Sequence, residues 1–153
     1  MIFTISFSQA ATIYVSSSDT YQSIQAAVDA AQSGDEIIVR DGTYQENILV
    51  HKSLTIRSEN SRLTTFIEAA NPALNVVEII ANQVNIEGFS ISGGSALDVC
   101  GILLGRTLAD VGVGGCQISH NRVGFDSSHK NCYGIYIYRE NNNTLLNPCL
   151  TRF

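Results

Sequence analysis

From residue 36 onward the apolar positions fall in short bursts of three or four, each closed by a small polar turn, with no helical stretch between them. Ahead of that region the period differs. Thr12 to Val15 (TIYV) is a brief β-rich run, and SSSDT follows, rich in residues that favour a helix N-cap. In YQSIQAAVDAAQSGD, the residues Ile24, Ala27, Val28 and Ala31 stand at i, i+3, i+4 and i+7, a narrow apolar face of small side chains. A helix over about 20–33 is expected, stopped by Ser33-Gly34.

Strand-length runs then follow in series: EIIV at 36–39, NILV at 47–50, LTIR at 54–57, then 65–67, 76–80, 84–86, 89–91, 102–104, 117–119, 135–138 and 144–146. Asp41-Gly42 and His51-Lys52-Ser53 are the first separators. Asp-Gly is a tight-turn signal, and Tyr44 behind it is expected to pack under the helix.

Many short strands suit either a sandwich or a coiled stack of strands, and internal echoes decide between them. GILLGR at 101–106 returns as GIYIYR at 134–139, and ISGG at 91–94 is answered by ISHN at 118–121, at intervals of 33 and 27 residues. This predicts a parallel coil with turns of variable length. Equivalent residues then stack about 4.8 Å apart, with isoleucines filling the inside. Asn121 and the run Asn141 to Asn143 suit the sharp turns, where an Asn amide can bond the Asn above or below it.

Composition narrows the function classes. The chain has 153 residues, 44% apolar and 15% charged, so one domain with a core and a mostly uncharged polar surface is expected. A net charge of -5 with nine scattered Lys and Arg gives no basic stripe for nucleic acid, and no apolar run reaches the ~18 residues of a membrane span. MIFTISFSQAA at 1–11 fits either a remnant of a secretory signal or a plain first strand.

Cys100, Cys116, Cys132 and Cys149 recur at intervals of 16, 16 and 17 residues without CxxC or a nearby His pair, which is not zinc spacing. Equal intervals would let the thiols stack as apolar filler in successive turns, with disulfides as the alternative.

The segment YQSIQAAVDAAQSGDEIIVRDGTYQENILVHKSLTIRSEN resembles the N-terminal cap and first coil shared by pectin methylesterase-like and NosD-type β-helix proteins. NIEGFSISGG, CQISHN, GIYIY and NNNTLLN resemble the repeats of NosD and CASH domains of archaeal and bacterial surface proteins. The resemblance implies an all-β, right-handed parallel β-helix with a short N-terminal amphipathic capping helix. On this reading 12–153 form one β-helix domain, with coils over about 36–147. The chain ends at PCLTRF without a second cap, so truncation, and self-association through an uncapped C-terminal edge, are expected.

The resemblance also states what an enzyme would need. A pectin methylesterase needs paired Asp residues and an Arg, one Asp in a QDTLY-like motif; here NIEGFSISGG holds only Glu87. A pectate lyase needs acids that hold calcium beside an Arg or Lys. Asp98, Asp110, Asp126, Arg106, Arg122 and Arg139 are the candidates, but their spacing reads as solvated turns. The NosD likeness implies copper handling, yet His51, His120, His129 and the single Met1 are scattered.

Tyr136 and Tyr138 alternate with Ile135 and Ile137, so isoleucines inside would put both tyrosines outside, beside Arg139: a sugar platform, or a cover for a neighbouring loop. Asn142-Asn143-Thr144 is the one N-x-S/T sequon.

The sequence therefore reads as an exported, cell-surface or periplasmic β-helix, a scaffold or carbohydrate-binding module without catalysis of its own. A polysaccharide or surface glycan is the expected partner. No cofactor is expected, except calcium under the lyase alternative; a polysaccharide-active enzyme and a copper-handling protein are the other readings.

Overall fold

The computed structural model describes residues 9–105, 112–124, 133–139 and 142–146, and the backbone of 149–150. In chain order the elements begin with β1 (Thr12–Val15), α1 (Ile24–Ala30), β2 (Glu36–Val39), β3 (Gly42–Gln45), β4 (Ile48–Val50) and β5 (Thr55–Ser58). Next come β6 (Thr65–Glu68), β7 (Val77–Ile79), β8 (Asn85–Glu87), β9 (Ser90–Ser92) and β10 (Cys100–Leu104). The last are β11 (Gln117–Ser119), β12 (Arg122–Val123), β13 (Tyr133–Ile137), β14 (Thr144–Leu146) and β15 (Cys149–Leu150).

From β2 to β13 each coil contributes one strand to each of three parallel sheets, giving a right-handed parallel β-helix. Sheet A runs β1-β2-β5-β8-β11-β14, sheet B runs β3-β6-β9-β12-β15, and sheet C runs β4-β7-β10-β13. The inner ladder of sheet A is Ile13, Ile37, Ile56, Ile86, Ile118 and Leu145, one per rung. Sheet B stacks Tyr44, Ile67, Ile91 and Val123; sheet C stacks Ile48, Val77, Ile102 and Ile135. Burying one such isoleucine is worth roughly 1.5–3 kcal/mol, and a slip of one residue would turn a whole ladder to water, so the ladders fix the register.

The helix is shorter than expected, Ile24–Ala30 rather than 20–33. Ser23 is the N-cap, its hydroxyl accepting from Ala26 N–H, and Tyr21 is held back in a bridge to Val15. Ile24, Ala27 and Val28 are fully buried against the open end of the coil. The Gln25 side-chain amide accepts from Leu49 N–H at 2.8 Å and donates to Leu49 C=O at 3.4 Å, covering the free edge of β4.

Four further expectations are corrected. Residues 42–45 after Asp41 form β3 rather than only a turn, with Tyr44 buried and its hydroxyl within 3.1 Å of the Val15 carbonyl. The cysteine interval does not stack thiols: Cys100 lies in sheet C and Cys116 immediately precedes β11 of sheet A, both buried. A coil takes 30 residues from Thr55 to Asn85, about twice that interval. Cys132 and the Cys149 side chain lie outside the described residues.

Of the two echoes, GILLGR and GIYIYR are true neighbours, Ile102 on Ile135 and Leu104 on Ile137. ISGG and ISHN are not: Ile91 belongs to sheet B and Ile118 to sheet A, where it stacks on Ile86. Nor does Asn121 bond another Asn. Its amide, 1% exposed, accepts from Phe89 N–H at 2.9 Å and donates to the Ile86 carbonyl at 2.8 Å in the coil below. Asn143 does the same toward Cys116 N–H and the Val113 carbonyl.

Candidate functional site

The outward residues differ from sheet to sheet. On sheet A they form charge ladders along the coil axis. Arg57 pairs with Glu36 at 2.8 Å, and Arg40 with Asp19 and Glu59, each at 2.9 Å. The Glu36 carboxylate holds the Arg57 guanidinium still more firmly protonated than usual. The ladder ends at Glu87, whose carboxylate lies 3.3 Å from His120 Nδ1. Such exposed pairs orient side chains more than they stabilise the fold. At the corner between sheets A and B a cleft of about 490 Å³ opens between Arg57, Arg62, Glu87 and His120.

Sheet C is different. Its outward ladder is Leu49, Glu78, Leu103 and Tyr136, mostly apolar with one carboxylate in the middle. The strands stand side by side because the inner ladder of alternating residues is buried, which leaves these four facing outward. Two clefts lie along this face. One, about 330 Å³, is lined by Asn47, Leu49, Leu74, Glu78, Leu97 and Asp98 among others. The other, about 350 Å³, is lined by Asp98, Cys100, Leu103, Tyr133 and Tyr136. Asp98 lines both, so the two clefts adjoin at that residue on one face of successive coils.

Tyr133 and Tyr136 are 47% and 45% exposed, so nearly half of each ring is open to a ligand. The Tyr133 hydroxyl donates to Asp98 Oδ1 at 3.3 Å, and the Asn75 amide donates to Glu78 Oε2 at 3.4 Å. Asn75 also accepts from Cys100 N–H at 2.8 Å, tying the cleft floor to the coil above. Rings, carboxylates and amides set on rigid strands provide an apolar surface with directional polar groups, the combination that sugar rings require.

The structure brings Tyr136 together with Tyr133 rather than with Tyr138. Tyr138 lies half-buried beyond the end of β13, with the Arg139 guanidinium 5.7 Å from its ring centre, and neither lines the cleft. Asn142 is exposed at a positive φ of 54°. Arg122 is on sheet B and Asp98 beside sheet C, so two of the lyase candidates are kept apart; Arg106, Asp110, Asp126 and His129 lie outside the described residues. His51 and His120 follow strands of different sheets. Among the described residues no group of three His, Cys, Asp or Glu could hold one metal ion, and no helix is long and apolar enough to cross a membrane.

Glu78 was not singled out in the sequence. The echo GILLGR/GIYIYR puts Leu103 and Tyr136 on one outward rung, but the unit that places Glu78 there, NVVEII, shares no letters with it beyond isoleucine.

Solved structures share the fold. A pectin methylesterase variant in complex with a hexasaccharide superimposes with a TM-score of 0.67 over 92% of this chain and 49% of that one, at 14% identity. A second pectin methylesterase complex gives 0.63 over 84% and 46%, at 15% identity. The pectin methylesterase of Aspergillus niger gives 0.54 over 95% and 62%, at 16% identity. At these identities the likeness establishes the fold: a right-handed parallel β-helix of the pectin methylesterase type.

In sequence, the chain is 39% identical over 111 residues to a cell surface glycoprotein of the archaeon Methanothermus fervidus. That match takes in 71% of this chain and 16% of the glycoprotein, so the chain spans about a sixth of its length. No protein-family model matches the sequence.

Proposed function

We propose that this chain is a surface-exposed β-helix of the NosD/CASH kind, a scaffold that holds glycans along sheet C without chemistry of its own. The observation that carries the reading is the pairing of two half-exposed tyrosines, Tyr133 and Tyr136, across one cleft of a rigid strand face. The likeness to an archaeal cell surface glycoprotein supports an extracellular place. On this reading residues 12–153 act as one β-helix domain. Asn142, exposed on a turn within its sequon, is the acceptor for an N-linked glycan in a glycosylating host. Tyr138 and Arg139 add a second, neighbouring contact. Among the described strands β13 and β14 are the last of their sheets, and self-association through that edge, which sedimentation at tens of micromolar would detect, belongs to the same reading.

The test is binding of the intact chain to a panel of polysaccharides, with product formation followed in parallel. Saturable binding without turnover, weakened about tenfold by Tyr136→Ala or Tyr133→Ala, is the expected result. The likeness to pectin methylesterases favours one other reading, a carbohydrate-active enzyme. Release of methanol from methyl-esterified polygalacturonate, or calcium-dependent unsaturated products, would establish that reading and overturn the scaffold. Copper retained after chelation by full-length protein would do the same for the copper-handling alternative.

A further inference from the structure

Beside the tyrosine cleft stands a wall of a different kind. Leu97 is 89% exposed and Leu74 52%, and both line the cleft that adjoins the tyrosines at Asp98. Neither leucine belongs to a strand, yet the loops that carry them are fixed. The Asn47 amide donates to the carbonyls of Asn71, Leu74 and Asn75, and accepts from Asn71 N–H at 2.7 Å. The Pro72 carbonyl accepts from Ser95 and Ala96 N–H at 2.9 and 3.2 Å, which sets the Leu97 loop on the Leu74 loop.

Leucines held out in water on fixed loops mark a surface that something apolar covers. Such a wall suits a methyl group and gives no partner to a sugar hydroxyl. The amides of the same cleft are already engaged, Asn47 by the loop it holds and Asn75 by Cys100 N–H and Glu78. Asp98 lies where the two clefts meet. Its Oδ1 accepts the Tyr133 hydroxyl at 3.3 Å, and a carboxylate has about four acceptor sites. The order across the face is therefore aromatic ring, carboxylate, aliphatic wall.

From this order we infer that the site selects sugars carrying an N-acetyl group. The inference rests on the glycan-binding reading above and adds the substituent that is recognised. With the sugar ring on Tyr133 or Tyr136, the acetamido N–H donates to Asp98 and the methyl lies against Leu74 and Leu97. A plain hydroxyl in that position would leave both leucines in water, and an O-acetyl ester would bring the methyl without a donor for Asp98.

The experiment is calorimetric titration of the intact chain with identically linked hexamers of N-acetylglucosamine and of glucose, both uncharged and differing only in the acetamido group. The N-acetylglucosamine hexamer should bind about tenfold more tightly, the combined effect of a covered methyl and one hydrogen bond. Saturation-transfer NMR should mark its acetyl methyl as a contact. Leu74→Ser, Leu97→Ser and Asp98→Gly should each remove most of the preference and leave the glucose hexamer bound as before. Glycine suits the φ of 62° at Asp98, and unchanged thermal melting checks the folding of each variant. Leu63→Ser, at a leucine 72% exposed in the corner cleft, is the control and should leave the preference intact. Equal affinity for the two hexamers, binding to neither, or a preference that survives in all three cleft variants would overturn the inference, while the polysaccharide panel decides separately on the glycan reading. A Tyr136→Ala variant that binds both hexamers as tightly as the parent would remove both.

Discussion

Glu46 and Lys52 hold opposite ends of the same helix. The Glu46 carboxylate accepts from Ile24 N–H at 2.8 Å and Gln25 N–H at 2.9 Å, while Lys52 Nζ donates to the carbonyls of Val28, Asp29 and Ala31 at 3.1, 2.7 and 2.8 Å. Both side chains come from the first coil, just before and just after β4. A helix of 7 residues would not persist alone in water, so these contacts and its buried face hold it in place. An acid at the N-terminus and a base at the C-terminus also complement the helix dipole.

Removing either clamp should loosen the cap. Glu46→Ala and Lys52→Ala are each expected to lower unfolding free energy by about 1–2 kcal/mol, read from urea midpoints. Unchanged midpoints in both variants would show that the apolar face of α1 suffices by itself.

Asn121 is the costlier polar residue to lose. Asn121→Ala leaves Phe89 N–H and the Ile86 carbonyl unsatisfied in a buried corner, at a cost of about 2–3 kcal/mol. Amide hydrogen exchange at Phe89 should accelerate in the variant, and protection equal to the parent's would contradict the assigned bond.

At Gly88 the backbone has φ +79°, and a Cβ there would stand against the Ser58 hydroxyl of the coil below. Gly88→Ala should therefore destabilise by about 1–3 kcal/mol, part from the left-handed backbone and part from the overlap. Adding Ser58→Ala relieves the overlap alone, so thermal melting of the double variant should recover part of the loss. No recovery would mean that backbone strain accounts for all of it.

Acid should weaken the outer face before the core. The Ser16 hydroxyl and then the Arg40 guanidinium hold Asp19 below the usual carboxylate range, and Asn60 and then Thr64 do so for Asp41. A depressed folded-state pKa gives stability that is present above the unfolded value, ~3.9, and lost as pH falls through the lower folded value. Melting temperature should be level from neutral pH down to about 5 and then fall below about 4. The fall should be shallower in Asp41→Asn, and an identical acid limb in that variant would rule Asp41 out as a contributor.

The coil itself was legible in the sequence because its cause is local. Short β-rich bursts between polar turns can bury one face only by stacking, and the GILLGR/GIYIYR echo marked one pair of stacked rungs. The ISGG/ISHN echo misled because the same letters serve two different sheets: Ile91 and Ile118 both need an apolar interior, and their letters do not say which wall of the coil they line. The cysteine interval misled for a related reason, since coil length is set by turns that vary, so even spacing along the chain is not even spacing along the axis.

The tyrosines show where local reasoning stops. Alternation along β13 correctly put Ile135 and Ile137 toward the core and Tyr136 outside, whereas Tyr138 falls past the strand end, where Arg139 takes a φ of 59° and alternation no longer applies. The sequence by itself determined the inner ladders, the capping helix and the absence of a basic stripe, because each depends on residue type and period along one strand. Only the tertiary structure decided that Glu78, Asp98, Tyr133 and Tyr136, from three successive coils, line adjoining clefts: parallel stacking sets side by side residues 25 to 35 positions apart, and that offset depends on the length of every turn between them.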